Sequence, residues 1–170
     1  TSASFRSQAL VANQADKSLY ASIPVSGGEA ILLFPASLLL FYLLILNKQI
    51  DKTNLWKFYL VPLLLFFIFT HYHPQWLIWL TPFLIYDLVE MRFKNLIPQL
   101  LILFSWIGLL FFFDKSLTLG MFAPLFQVLQ TAPDIWTMLG LKVDYNFSRN
   151  ILQTIFAACS LYLIYHHFLK

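Results

Sequence analysis

The chain has 170 residues, of which 59% are hydrophobic, 18% aromatic and only 11% charged, with a net charge of +3 and a mean hydropathy of +0.71. Soluble domains carry charge at roughly a quarter of their positions, so the composition excludes an ordinary water-soluble domain. The basic residues are scattered between apolar runs, which argues against a nucleic-acid partner, and a single cysteine, Cys159, leaves no intrachain disulfide framework and no CxxC motif.

Residues 1–29 carry Arg6 and Lys17 but no basic stretch followed by an apolar core, so they read as neither signal peptide nor anchor. With Thr1 in place of Met, the expectation is the C-terminal part of a longer membrane protein. Five apolar segments follow, at 30–46, 56–70, 75–89, 96–113 and 151–168. A helix that crosses the hydrocarbon needs about 20 residues, with a working range near 17–25. The first, fourth and fifth segments approach that length, whereas Pro62 and Pro82 interrupt the shorter second and third. Residues 56–89 are therefore expected to form a hairpin of two short helices. The whole is expected to be an all-α integral membrane domain of about five transmembrane helices spanning residues 1–170. In 120–140 apolar residues are divided by Pro124 and Pro133, which predicts short interfacial helices rather than a span.

Charge sets the expected orientation. Lys48, Lys52, Lys57, Arg92, Lys94 and Lys170 fall in short gaps or at the end, while Arg6, Lys17, Lys115, Lys142 and Arg149 fall in two long segments. The positive-inside rule then puts 1–29, the turn near residue 73 and the 114–150 loop together on the non-cytoplasmic face.

Residues 70–82 hold the densest chemistry. His71, His73 and Gln75 sit between two apolar runs, and Pro74 suits the first position of a new helix. The amides of Gln75, Trp76 and Leu77 would then lie at a positive helix end, suited to an anion such as phosphate. A residue before proline is pushed into extended backbone, so His71 and His73 can point the same way and donate hydrogen bonds to a phosphate or a sugar hydroxyl. The plainer alternative is an interfacial polar turn flanked by the belt aromatics Trp76 and Trp79. No third ligand accompanies the two histidines, so no metal is expected, and no glycine-rich phosphate loop, GxSxG or HExxH motif suggests a cofactor.

Other polar residues have simpler expected roles. Asp87 and Glu90 lie near Arg92 and Lys94 and read as interfacial, and His166 and His167 read as end-capping groups. Gln99, Ser105 and Gln153 read as interhelical hydrogen-bonding groups. Asp114, Asp134 and Asp144 share the expected face of the histidine turn and read chiefly as solvated loop acids. Asn146-Phe147-Ser148 matches the glycosylation sequon.

His73-Pro74-Gln75-Trp76, followed by Trp79 and Pro82, resembles the Ser/His-Pro-Gln-Tyr/Trp-x-x-Trp-x-x-Pro stretch of the GT-C superfamily of membrane glycosyltransferases, in particular its mannosyltransferase-like members. Ile23-Pro24-Val25 and Phe34-Pro35 resemble the loop-to-helix lead-in of such proteins. The resemblance implies transfer of a sugar, mannose or another hexose, from a polyprenyl-phosphate donor to a glycan, glycolipid or protein acceptor. It places the reaction at the non-cytoplasmic face of a bacterial plasma membrane or an ER membrane. It also implies an acidic catalytic residue in a first outer loop for which this chain has no counterpart, while the reading of the turn itself offers His71, His73 and Gln75 for the donor. A non-catalytic membrane subunit and a transporter of lipid-linked sugars are the alternatives.

Overall fold

The computed structural model describes residues 19–46, 48–49, 51–70, 74–113 and 118–168. Gly27 and Gly28, at φ +104° and +101°, reverse the chain between β1 (Ser22–Pro24) and β2 (Ala30–Leu32), a conformation that side chains with a Cβ rarely adopt. The two strands pair antiparallel, with Ser22 opposite Leu32 and Pro24 opposite Ala30. The Leu33 amide donates to the Ala21 carbonyl at 2.9 Å, and the first helix, α1 (Leu33–Ile45), grows directly out of the hairpin.

α1 packs antiparallel to α2 (Leu55–Phe69): Phe34 meets Phe66 near one end, and Phe41 meets Phe58 near the other. After residues 71–73 the chain enters a 3-10 helix, Pro74–Trp79, and then α3 (Thr81–Glu90), which runs back along α2. The return is fixed by stacked Tyr59 and Phe83, 6.3 Å between centroids, and by Trp56 against Tyr86 at 5.1 Å. A tight turn leads into α4 (Leu96–Leu110). A 3-10 turn at Leu119–Phe122 and two one-turn helices, α5 (Val128–Thr131) and α6 (Ile135–Met138), precede the long α7 (Tyr145–Phe168).

The main core lies where α2, α4 and α7 meet, around Leu60, Leu64, Phe67, Ile102, Phe156 and Leu163, and the 3-10 helix closes it with Leu77. A smaller cluster of Phe41, Val61 and Leu65 joins α1 to α2. Gly108 allows the closest helix approach: a Cβ there would stand 3.0 Å from a methyl of Leu152. Outside these clusters the long helices expose large apolar side chains, among them Leu39 on α1, Val89 on α3, Ile97 and Phe104 on α4, and Tyr165 on α7.

The structure corrects the expectation of about five transmembrane helices. Among the described residues one helix, α7 with 24 residues, is long and apolar enough to cross a membrane by length and composition. At 1.5 Å per residue it reaches roughly 36 Å, against a hydrocarbon core of about 30 Å. α1, α2 and α4 have 13, 15 and 15 residues and reach only about 20–23 Å. The apolar segments overstate helix length for physical reasons. The start of the first one forms β2, the third divides into a 3-10 helix and a ten-residue α3, and α4 stops three residues short of Phe113. The hairpin strands also make the fold not strictly all-α.

Candidate functional site

The two ends of the helical bundle treat their polar groups differently. At the end where α2 and α4 begin and α3 and α7 finish, Asp87 is completely buried. Asn95 Nδ2 donates to both of its carboxylate oxygens, at 3.2 and 3.0 Å, and Gln99 Nε2 donates to Oδ2 at 2.5 Å. His167 Nε2 lies 2.7 Å from Oδ1, within ion-pair distance although not aligned as a hydrogen bond. The ring of Trp56 packs edge-on against His167 at 5.3 Å. One carboxylate thus ties α3 to α4 and α7. This revises the reading of Asp87 as interfacial and of His167 as an end cap. It also explains how Arg92 and Phe93 hold φ values of +49° and +61°, a left-handed turn that costs free energy unless its surroundings fix it.

The opposite end is open. Here a pocket of about 390 Å³ lies between the end of α2, the end of α4 and the start of α7. Its walls include Thr70, Phe113, Asn146, Arg149, Asn150 and Gln153. Thr70 ends α2 in extended backbone, and its amide donates to the Phe66 carbonyl. Its side chain is buried and its hydroxyl has no hydrogen-bond partner. Gln153 Nε2 donates to the Phe67 and Ile68 carbonyls at 2.8 and 3.3 Å, satisfying acceptors that the last turn of a helix leaves free. That bond fixes α7 against the end of α2 and so shapes the pocket.

Arg149 is the pocket's cation. Its Nε donates to the Tyr145 carbonyl at 3.3 Å and its Nη2 to Asn146 Oδ1 at 2.8 Å, while the guanidinium lies 6.0 Å from the Phe113 ring centre. These contacts hold the side chain in place and leave guanidinium donors for a ligand. A fixed guanidinium, a shielded hydroxyl and side-chain amides together suit an oxyanion, to which charge-assisted hydrogen bonds are the strong ones.

The sequence-predicted site divides around this pocket. His71 and His73 lie outside the described residues. Gln75 is exposed and lies in the first turn of a 3-10 helix, where the sequence predicts the start of an α-helix. Trp76 and Trp79 stack on each other at 5.6 Å, and Trp76 stacks on Phe66. Thr70, the last described residue before the two histidines, stands in the pocket wall. Arg149, Asn150 and Thr70 were not singled out as site residues by the sequence.

Among the loop acids, Asp134 caps α6: the Thr137 amide donates to Oδ1 at 2.9 Å and its hydroxyl to Oδ2 at 2.7 Å. Hydrogen bonds from Thr137, with a further one from Tyr145, hold this carboxyl down at about 2. Asp144 accepts from the amides of Asn146 and Phe147 at the start of α7. Asp114 lies outside the described residues. Ser105 donates to the Leu101 carbonyl of its own helix, whereas Gln99 and Gln153 bond across helices. Among the described residues no cluster of three His, Cys, Asp or Glu side chains could hold a metal ion. Comparison with family models, with curated proteins and with solved structures gives no match.

Proposed function

We propose that the chain is the donor-phosphate part of a membrane glycosyltransferase that moves a hexose from a polyprenyl-phosphate carrier to a hydroxyl acceptor at the non-cytoplasmic face. The observation that carries this reading is the Arg149 pocket at the end of α2, with its unpartnered Thr70 hydroxyl. Membrane residence is supported by α7, in which only Phe156, Ser160 and Leu163 are buried within the chain, and by the apolar side chains exposed on the other helices.

In the reaction the acceptor oxygen bonds to the anomeric carbon, the bond from that carbon to the phosphate oxygen breaks, and the acceptor proton passes to a base. The polyprenyl phosphate leaves with additional negative charge. Arg149 and Thr70 serve that charge as it develops, with the two histidines and Gln75 as further donors, which is the condition under which fixed donors accelerate a reaction. The exposed apolar faces receive the polyprenyl tail.

The test is sugar transfer by the full chain from a polyprenyl-phosphate hexose. Losing a hydrogen bond to a charged group costs about 1.5–3 kcal/mol, or roughly 10- to 150-fold in rate. Arg149→Ala, His73→Ala and Gln75→Ala are each expected to fall in that range, and Arg149→Lys should recover part of the loss. Full activity in Arg149→Ala together with the two tip variants would refute the reading. Tight binding of polyprenyl phosphate without any transfer would favour the non-catalytic subunit instead.

A further inference from the structure

A second cavity lies at the closed end of the bundle, on the outside of the α2–α3 return. It has a volume of about 470 Å³ and is lined by Lys52, Leu55, Trp56, Tyr59, Phe83 and Tyr86. Its walls are aromatic, yet its rim is basic: Lys52 is part of the lining, and Lys57 places its ammonium 5.6 Å from the Trp56 ring centre. Such a cation–π contact keeps a lysine at a defined place on an apolar wall. The indole N–H of Trp56 is shielded and has no partner.

The charges around this groove are unequal. Lys52 and Lys57 stand at the groove itself, and Lys48, Arg92 and Lys94 lie off it at the same end, against the exposed acids Asp51 and Glu90. Asp51 is engaged within its own turn, accepting from the Lys52 amide and the Thr53 hydroxyl. Asp87, the other acid at this end, is buried and paired away from the groove. Beyond the aromatic walls the apolar surface continues through exposed Ile85 and Val89 on α3.

We infer that this groove binds an anionic phospholipid, with the headgroup phosphate between Lys52 and Lys57 and an acyl chain along Tyr59, Phe83 and the outer face of α3. Charge complementarity selects the occupant. Two lysines, one of them seated on the Trp56 ring, attract a phosphate that carries net charge, and the aromatic walls suit hydrocarbon rather than a free, hydrated ion. The inference is independent of the Arg149 pocket, which lies at the other end of α2.

The experiment is native mass spectrometry of the full chain in neutral detergent, titrated with phosphatidylglycerol and, separately, with phosphatidylcholine. Phosphatidylglycerol should bind in preference by about 30-fold, roughly fivefold for each lysine. The double variant Lys52→Ala/Lys57→Ala should lose that preference while keeping its circular dichroism. Trp56→Phe, which weakens the seat of Lys57, should weaken phosphatidylglycerol binding roughly 2- to 10-fold, and Arg92→Ala/Lys94→Ala, basic but off the groove, should leave it unchanged. Equal binding of the two lipids overturns the inference, as does an unaltered preference in the double lysine variant or unaltered affinity in Trp56→Phe. Loss of preference in the Arg92/Lys94 pair would show diffuse surface charge instead of a site. Complete displacement by millimolar glycerol phosphate would make a soluble phosphoester the occupant and equally overturn it.

Discussion

The two ends of the bundle both contain buried polar groups, and they solve the cost of burying them in opposite ways. At the Asp87 end, two amides and an imidazole surround one carboxylate that is wholly shielded from solvent. At the Arg149 end, a guanidinium and a shielded hydroxyl border an open pocket. A buried polar group whose partners are all protein serves the architecture. One whose missing partner can enter from a cavity is placed for a ligand. The contrast lies in the two groups themselves: the Asp87 carboxylate meets protein donors, whereas the Thr70 hydroxyl meets none.

The sharpest way to break that comparison is to remove the carboxylate. Asp87→Ala leaves Asn95 and Gln99 without their acceptor and His167 without the carboxylate beside it, and each buried polar group left unpaired costs about 1–3 kcal/mol. Thermal unfolding in detergent should show a larger fall in stability for Asp87→Ala than for Arg149→Ala, Gly108→Leu or Asp134→Asn. Proteolysis should first appear in the α3–α4 turn that holds the left-handed Arg92 and Phe93. Asp87→Asn, which keeps the shape, should fall less. An unfolding temperature equal to wild type in Asp87→Ala would mean that the cluster is not what fastens this end. Arg149→Ala should behave in the reverse manner, with sugar transfer reduced and the unfolding temperature nearly unchanged.

Gly108 separates packing from both polar ends. The Leu152 methyls stand 3.0 and 3.1 Å from where its Cβ would be, so Gly108→Leu must force α4 and α7 apart. Overpacking of this kind costs about 1–3 kcal/mol. The first methyl alone is different: Gly108→Ala gains helix propensity of up to about 1 kcal/mol, which offsets the small shift asked of the Leu152 side chain. Differential scanning calorimetry should therefore place Gly108→Ala near wild type and Gly108→Leu well below it. Equal stability of the two would indicate that the helices do not approach as closely as the structure has them.

How much of this was legible beforehand follows from the range of each interaction. The apolar segments and the hairpin of two short helices expected over 56–89 are local features and can be read from the chain. Helix ends are less local. Hydrophobicity continues through Ala30–Leu32 although the backbone there is strand, because the reversal at Gly27–Gly28 supplies a pairing partner. The Asp87 clasp is half legible, since Asn95 and Gln99 follow within 8 and 12 residues, but His167 arrives only through the packing of α7. The Arg149 pocket is the least legible. Gln153 meets the Phe67 carbonyl across 86 residues of sequence, and the packing of α7 on α2 to which that contact belongs brings Arg149 near Thr70. No periodicity or spacing encodes such a convergence.

The smallest effect is expected at Asp134, which lies on the open end but outside its pocket and therefore tests whether an exposed acid there matters at all. Its carboxyl is held at about 2, below the ordinary 3.8, because the Thr137 hydroxyl and amide bond the ionised form. A group with a depressed folded value contributes stability that is fully present above the unfolded value and is lost as pH falls through the folded one. The α6 cap should accordingly hold at pH 5 and loosen between about pH 4 and pH 2. Trp136 reports on it, since its Nε1 donates to the Phe111 carbonyl at 2.8 Å and its ring stacks on Phe112 at 4.9 Å. With fluorine-labelled tryptophan, the Trp136 resonance should shift within that window in the wild type and show no such transition in Asp134→Asn. A transition centred near pH 4 in the wild type would mean that the Thr137 bonds do not stabilise the charged carboxylate. Asp134 would then be only a solvated loop acid, as its position in the sequence suggests.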